Sequence, residues 1–192
     1  MESLRVDYKS KENIVKDFDK DPRRKQELRM RPVADRIYKQ ILGSDIEISR
    51  VEKEDEAILD REYAIDVQLK LPCGMILLGQ EKFLSYEYRD FGTVTVEFHQ
   101  NQHTEEPGDW FKLAPQFYFV GYCTKDNEDF FPWILLNWPC VVLATHKNFL
   151  HWRQNRNRDG YARASFAWVK MNEFPASCII AKSEDSKPPT GF

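Results

Sequence analysis

The sequence predicts one α+β domain, or a related α/β arrangement, in which helices flank a mixed central β-sheet. A helical stretch comes first, several strand patterns follow it, and a second helical stretch lies nearer the C-terminal end. Folds of this class bury one face of each helix against a sheet. The chain has 192 residues, 42% of them hydrophobic and 14% aromatic, which is enough for one packed domain and few for two.

The first helix is predicted over residues 23–42. Its apolar residues recur at spacings of three and four and so form one stripe: Val33, Ile37, Tyr38 and Ile41. Proline is well tolerated in the first turn of a helix, so the ordered helix is expected to start near Pro32. Gly43 suits its end.

The strand patterns come next along the chain. They are predicted over residues 46–51, 57–71, 75–85, 93–98, 116–123 and 164–169. Residues 132–143 are apolar, but Pro139 argues against one uninterrupted element there. Thr145 can cap a second helix that runs to Gln154.

Composition separates the termini from the domain. Residues 1–22 are mostly charged and predict a flexible N-terminal arm, residues 23–182 form the domain, and residues 183–192 predict a disordered tail. The net charge is −3 and the pI is about 5.9. Any contact with nucleic acid must therefore come from a local basic patch or through a bound metal.

The four cysteines are far apart and contain no CxxC pair: Cys73, Cys123, Cys140 and Cys178. This spacing does not suit a structural zinc site, so buried, reduced thiols are expected. The N-terminus lacks the charged-then-apolar pattern of a signal peptide, and no apolar run approaches the roughly 20 residues of a membrane span. We expect a cytoplasmic protein that does not contact a membrane.

The most informative residues are Asp66, Gln80 and Lys82. A tight turn at residues 71–74 joins the predicted strand of Asp66 to the strand that carries the other two. Side chains alternate along a strand, so Gln80 and Lys82 share one face and Glu81 points to the other. A carboxylate, an amide oxygen and an ammonium group on paired strands are the parts of a magnesium-dependent phosphodiester-cleaving site. Exposed polar positions on a sheet are the simpler alternative, but the apolar flanks of both strands argue against it.

This pattern resembles the PD-(D/E)xK nuclease superfamily, which includes many restriction enzymes and Holliday-junction resolvases. Two further stretches resemble phage and plasmid nuclease-like members: residues 105–122, with their Pro-Gly-Asp-Trp sequence and aromatic strand, and the basic stretch at 155–168. The resemblance covers about residues 32–180. It departs from the superfamily pattern in two places, because Ile65 replaces the proline before Asp66 and Gln80 replaces the second acid.

The resemblance implies a restriction-endonuclease-like core and a nuclease that acts on nucleic acid, with DNA as the expected substrate. Asp66, Gln80 and Lys82 would be its catalytic residues. Asp66 and Gln80 would bind Mg²⁺, or Mn²⁺ in its place, together with a backbone carbonyl of Gly79 or Glu81. Lys82 would orient or deprotonate the attacking water. Duplex-cleaving relatives are commonly dimers, so a homodimer is an open expectation.

Two other functions stay open. A catalytically degenerate member of the same fold would act as an accessory factor that binds nucleic acid or protein. An unrelated interaction module would instead dimerise through aromatic residues around Trp133 and Trp138.

Other residues are weaker candidates for the site. Asp60 and Glu97 are additional acids that could reach a metal, although surface charges are the simpler interpretation of both. A basic group interleaved with aromatic residues predicts a nucleic-acid contact: Lys147, Arg153, Arg156, Arg158 and Arg163. A solvated helix end, with basic residues that complement the helix dipole, explains the same group equally well.

Overall fold

The computed structural model describes residues 22–51, 57–101, 103–156 and 164–183. The predicted arm and tail lie outside these ranges, except that Pro22 begins the first helix and Ser183 follows the last strand.

Three α-helices and ten strands make up the described part of the chain. The helices are α1 (Pro22–Leu42), α2 (Ala57–Tyr63) and α3 (Trp138–His146). The first five strands are β1 (Glu47–Arg50), β2 (Val67–Lys70), β3 (Ile76–Leu84), β4 (Thr93–Asn101) and β5 (Glu106–Pro107). The other five are β6 (Phe117–Cys123), β7 (Phe130–Asn137), β8 (Arg153–Arg156), β9 (Ser165–Lys170) and β10 (Ile179–Lys182).

These strands form two sheets. The central sheet has six strands in the order β1-β2-β3-β6-β7-β10, and it is mixed because β3 and β6 run parallel while the other pairs are antiparallel. The second sheet has four antiparallel strands in the order β5-β4-β9-β8. The predicted α+β class with a mixed central sheet is therefore confirmed.

The central sheet is covered on both faces. On one face α1 packs its predicted apolar stripe against β2 and β6, where Phe117 and Phe119 lie in the same core cluster. On the other face β4, β9 and α3 pack against Tyr118 and Val120. Since its alternate residues enter both cores, β6 is buried along its whole length. This explains why the sequence there is continuously apolar and aromatic.

The boundaries differ from the prediction in the region before β2. Residues 57–63 form α2, not the first half of a long strand, and Ala64 then takes a positive φ of 49°. Ala, Leu, Glu and Arg in this stretch favour a helix. Asp60, an additional acid of the predicted site, therefore lies on a helix and not on the strand that was predicted to lead to Asp66.

The helix predicted over residues 23–42 is confirmed, but its expected start near Pro32 and the predicted second helix are wrong. Pro32 lies inside α1, which starts ten residues earlier. Proline has no N–H and so removes one backbone hydrogen bond of the helix, but burial of the apolar stripe offsets this loss. The helix predicted from Thr145 to Gln154 does not form. Instead α3 ends at His146 and is capped by Asn137, whose side chain accepts a hydrogen bond from the Cys140 N–H. Pro139 is in the first turn of α3, where its missing N–H costs nothing.

All four cysteines are free, and Cys123 and Cys178 are buried as expected, whereas Cys73 is exposed and Cys140 is partly buried. None of the helices in the described ranges has the length and apolar character needed to cross a membrane.

Gly79 sets the contact between β3 and β6 at the centre of the sheet. It pairs with Phe117, and a Cβ atom at this position would overlap the outer edge of the Phe117 ring. Only glycine therefore leaves room for the phenyl ring against the strand. Gly79 immediately precedes Gln80, so this close contact also fixes the strand position next to the candidate site.

We predict that Gly79→Ala lowers the free energy of unfolding by about 1–3 kcal/mol or more, because the added methyl group overpacks the core. Urea denaturation measures the loss. The control is the same substitution in a Phe117→Leu background, where the smaller side chain can make room and the loss should shrink. An equal loss in both backgrounds would show that Phe117 is not the obstacle.

Candidate functional site

The structure brings Asp66 next to Gln80. Val67 pairs with Gly79 in the antiparallel β2–β3 ladder, so the preceding and following residues are neighbours. Asp66 lies one residue before β2 and still joins the ladder, since its N–H donates to the Gly79 carbonyl at 2.8 Å. Its carboxylate accepts a hydrogen bond from the Glu81 N–H at 3.0 Å.

Gln80 and Lys82 face the second sheet. They line a pocket of about 130 Å³ between β3 and the segment formed by β4 and the 3-10 turn at Asp109–Phe111. The other lining residues are Glu81, Val96, Glu97, Asp109, Leu113 and Tyr118. The pocket is polar on several sides although it lies next to an apolar core.

The side-chain oxygen of Gln80 has no hydrogen-bond partner within the described part of the chain. This atom, Oε1, has essentially no exposed surface. A buried amide oxygen without a partner costs about 1–3 kcal/mol, so native structures rarely contain one without a functional reason or a bound water or ion. The unpartnered oxygen of Gln80 therefore indicates that the pocket holds a water molecule or an ion.

Lys82 lines the same pocket and is partly buried. Its ammonium donates to the Thr95 carbonyl of β4 at 3.1 Å and lies 5.3 Å from the centre of the Phe166 ring. Burial lowers the pKa of Lys82, and the nearby carboxylates of Asp109 and Glu97 oppose that fall. The amine is thus closer to giving up its proton than an exposed lysine.

The carboxyl of Asp66 also has an unusual proton affinity. Its pKa is raised from 3.8 to about 7, chiefly by burial; the hydrogen bond from the Glu81 N–H opposes this rise, and the charges of Asp60 and Glu81 add to it. Aspartates with a pKa this high are uncommon and are concentrated at functional sites.

Glu81 points away from the pocket, into the face that α1 covers. Its carboxylate accepts hydrogen bonds from the Arg50 guanidinium at 2.7 and 3.1 Å and from the Tyr38 hydroxyl at 2.9 Å. Arg50 also pairs with Asp35 at 2.6 Å. The Glu81 side chain is 6% exposed and that of Arg50 10%, so this is a buried ion pair. Of the two carbonyls predicted as extra metal ligands, Gly79 already accepts from Asp66, and Glu81 has only its backbone available to the pocket.

The two additional acids lie in different places. Glu97, on β4, lines the pocket, and burial and the charge of Asp109 raise its pKa. Asp60 lies on the exposed surface of α2 and acts on Asp66 only through its charge.

Sequence reasoning missed Asp109 as a site residue. It follows Gly108 in a loop, and a loop carboxylate has no periodic pattern that would assign it to a pocket. The available signal was a Gly-Asp pair after the β-branched stretch of β4.

Two residues of the predicted basic group, Lys147 and Arg153, lie outside the pocket. Lys147 caps the C-terminal end of α3 and is exposed. Arg153, on β8, pairs with Glu173 at 2.6 Å and stacks over the Trp168 ring at 5.0 Å. Neither residue lines the pocket. Arg156 is on β8 as well, and Arg158 and Arg163 lie outside the described residues.

Metal-binding side chains are sparse in the site. Among the described residues, no three His, Cys, Asp or Glu side chains are grouped so as to hold an ion. A cation here would depend on the amide oxygen of Gln80 in addition to carboxylates, a donor that divalent oxygen-seeking ions accept.

We predict that Arg50→Met lowers the free energy of unfolding by about 3–5 kcal/mol, because it leaves the Glu81 carboxylate buried without its cation. The double variant Arg50→Met/Glu81→Gln should lose less than the sum of the single losses. Lys70→Met is the matched control, since Lys70 pairs with Glu47 at an exposed site and should cost at most about 1 kcal/mol. Additive losses at residues 50 and 81 would contradict a direct pairing.

We predict that Asp66→Asn stabilises the metal-free protein at pH 8 and changes its stability little at pH 4. The raised pKa means that the unfolded chain releases the Asp66 proton near pH 3.8 and the folded chain only near pH 7. Stability therefore falls as pH rises between these values, by on the order of 4 kcal/mol. Urea unfolding in EDTA at both pH values tests this, and an equal effect of the substitution at pH 4 and pH 8 would refute the raised pKa.

No protein-family model, curated protein or solved structure matches the chain. The geometry of the pocket and the chemistry of its side chains are therefore the evidence on function.

Proposed function

We propose that this protein is a metal-dependent nuclease that hydrolyses phosphodiester bonds, with DNA as the expected substrate. The observation that carries the proposal is the buried amide oxygen of Gln80, which has no partner among the described residues. Gln80 neighbours Asp66 across the β2–β3 ladder and lines one pocket with Lys82. Mg²⁺ and Mn²⁺ are hard cations that bind oxygen donors. Such an ion suits this site, because the Gln80 oxygen lacks a partner and the neighbouring Asp66 carboxylate is buried with little positive charge to balance it.

The residues present fit such an ion. Its charge would compensate the unpartnered oxygen of Gln80 and lower the raised pKa of Asp66. When bound, a cation of this kind lowers the pKa of a water ligand and offsets charge that develops on a phosphate. Asp66 and Gln80 would hold it, with the Glu81 carbonyl as a further oxygen donor.

Lys82 would act on the attacking water or on the phosphate. To do so, its ammonium has to exchange the Thr95 carbonyl for that new partner. Since burial lowers its pKa, Lys82 can also accept a proton at a pH where an exposed lysine cannot. As a cation it would instead stabilise the negative charge that develops on the phosphate.

The topology supports the proposal in part. A helix, α1, is followed by the antiparallel strands β1, β2 and β3, with the short helix α2 between β1 and β2, and then by β6, which runs parallel to β3. This order is similar to the restriction-endonuclease-like core, a helix with a three-stranded meander and a further strand. It departs from that core between β3 and β6, where β4, β5 and two 3-10 turns stand in place of a helix.

A degenerate, nucleic-acid-binding member of the fold is the second candidate. It is favoured by the contact between Lys82 and Thr95, because an ammonium that bonds to the protein's own backbone is not free for water. The neutral Gln80 in the second ligand position favours it too.

We predict that the purified full-length protein cleaves DNA with Mg²⁺ or Mn²⁺ and that Asp66→Ala and Lys82→Ala each reduce the rate about 100-fold or more. Linear, supercoiled and branched DNA and RNA would be tested separately. Gln80→Glu should retain cleavage, since it adds charge for the ion in the same shape. Lys70→Ala, an exposed lysine of β2, is the matched control and should not change the rate.

Cleavage that survives Lys82→Ala would place the chemistry elsewhere. Metal-independent binding of DNA, unchanged by Lys82→Ala and without cleavage of any substrate, would establish the second candidate instead.

A further inference from the structure

We infer that Glu97 and Asp109 form a divalent-cation site together with Gln80, across the pocket from the Asp66 side. The ligand class is a hydrated hard cation, Mg²⁺ or Mn²⁺. The inference rests on the proposed function for its role in cleavage, but cation binding itself can be measured without any nucleic acid.

Gly108 makes the juxtaposition of the two acids possible. A Cβ atom at this position would lie 2.6 Å from the Glu97 carbonyl oxygen and 2.9 Å from Cγ of the Glu97 side chain. Only glycine allows the loop to approach β4 so closely, and the Gly108 N–H fixes the approach by donating to the Phe98 carbonyl at 3.0 Å. The next residue, Asp109, is thereby held beside Glu97.

The two carboxylates repel each other at this position. Burial and the charge of Asp109 raise the pKa of Glu97, whereas Lys82 and Lys112 lower it. Lys112 pairs with Asp109 at 3.2 Å and also reaches the Asp60 carbonyl at 3.5 Å. The two acids thus have two lysines as cationic neighbours, and a cation in the pocket would share Asp109 with Lys112.

Gln80 supplies an independent indication of a ligand on the same pocket. Its buried Oε1 has no partner among the described residues, and the side chain lines the pocket together with Glu97 and Asp109. The volume of about 130 Å³ exceeds the roughly 30 Å³ that one water takes up in the liquid, so an ion with several of its waters fits. Mg²⁺ characteristically keeps several waters and uses few protein ligands.

Asp66 does not line this pocket, and its carboxylate already accepts the Glu81 N–H. Glu97 on β4 and Asp109 in the following 3-10 turn would therefore supply the negative charge that the neutral side chain of Gln80 does not give to a cation. The ion would lie nearer to β4 than the Asp66-centred arrangement places it.

The experiment is a titration of the full-length protein with Mn²⁺, followed by the loss of the free-ion signal in electron paramagnetic resonance, with Mg²⁺ added as a competitor. Glu97→Gln and Asp109→Asn should each weaken Mn²⁺ binding about 10- to 100-fold, and Mg²⁺ should displace the ion from the wild type. Both substitutions keep the side-chain shape, and thermal unfolding checks that the variants fold. Asp90→Asn is the matched control, because the Asp90 side chain is 92% exposed and does not line the pocket.

Unchanged Mn²⁺ affinity in folded Glu97→Gln and Asp109→Asn overturns the inference. If Asp66→Asn then abolishes Mn²⁺ binding, the proposed nuclease site survives without these acids. If Mn²⁺ binding depends on Glu97 and Asp109 but the wild type cleaves no nucleic acid, the inference stands and the proposed function fails. A wild type that binds no Mn²⁺ overturns the inference and removes the metal from the proposed function.

Discussion

The buried ion pair between Arg50 and Glu81 is the constraint on which the candidate site depends. It joins β1 to β3 under α1, and the Tyr38 hydroxyl from α1 bonds to the same carboxylate. Because side chains alternate along β3, a Glu81 held on the α1 face leaves Gln80 and Lys82 on the face of the pocket. The Glu81 N–H meanwhile binds the Asp66 carboxylate. Glu81 thus links the core on one side of the sheet to the candidate site on the other. Its buried charge is tolerated because Arg50 and Tyr38 donate hydrogen bonds to both of its carboxylate oxygens.

The candidate site on the other face shows the opposite behaviour, since its polar groups are incompletely compensated. Gln80 has a buried oxygen without a partner among the described residues, burial raises the pKa of the neighbouring Asp66, and burial lowers that of Lys82. Each of these costs stability, and none is needed to pack the two sheets together. Such costs are typical of sites where a ligand or a reaction supplies the missing partner. A hard cation would relieve the first two at once, and it would favour the neutral form of Lys82.

The sequence predicted much of this arrangement because alternation and helical spacing are local signals. The apolar stripe of α1, the aromatic strand β6 and the common face of Gln80 and Lys82 all follow from residue spacing. Residues 57–63 were not assigned in the same way, because a stretch this short shows too little periodicity to separate a helix from a strand, although its composition favours a helix. The position of Asp109 beside Glu97 depends on a close approach at Gly108, which is a long-range contact that no local pattern encodes. The Arg50–Glu81 pair could not be predicted for the same reason, because its two residues are 31 positions apart in the sequence.

The most direct measurement is anomalous diffraction from crystals of the full-length protein soaked in Mn²⁺. We expect one strong peak in the pocket between β3 and β4, at about 2.0–2.3 Å from the Gln80 amide oxygen, a distance typical of hard cations of this size. Its distances to Asp66, Glu97 and Asp109 would also show which carboxylates complete the site. Ordered crystals at saturating Mn²⁺ with no peak in this pocket would contradict the metal site on which the account is built.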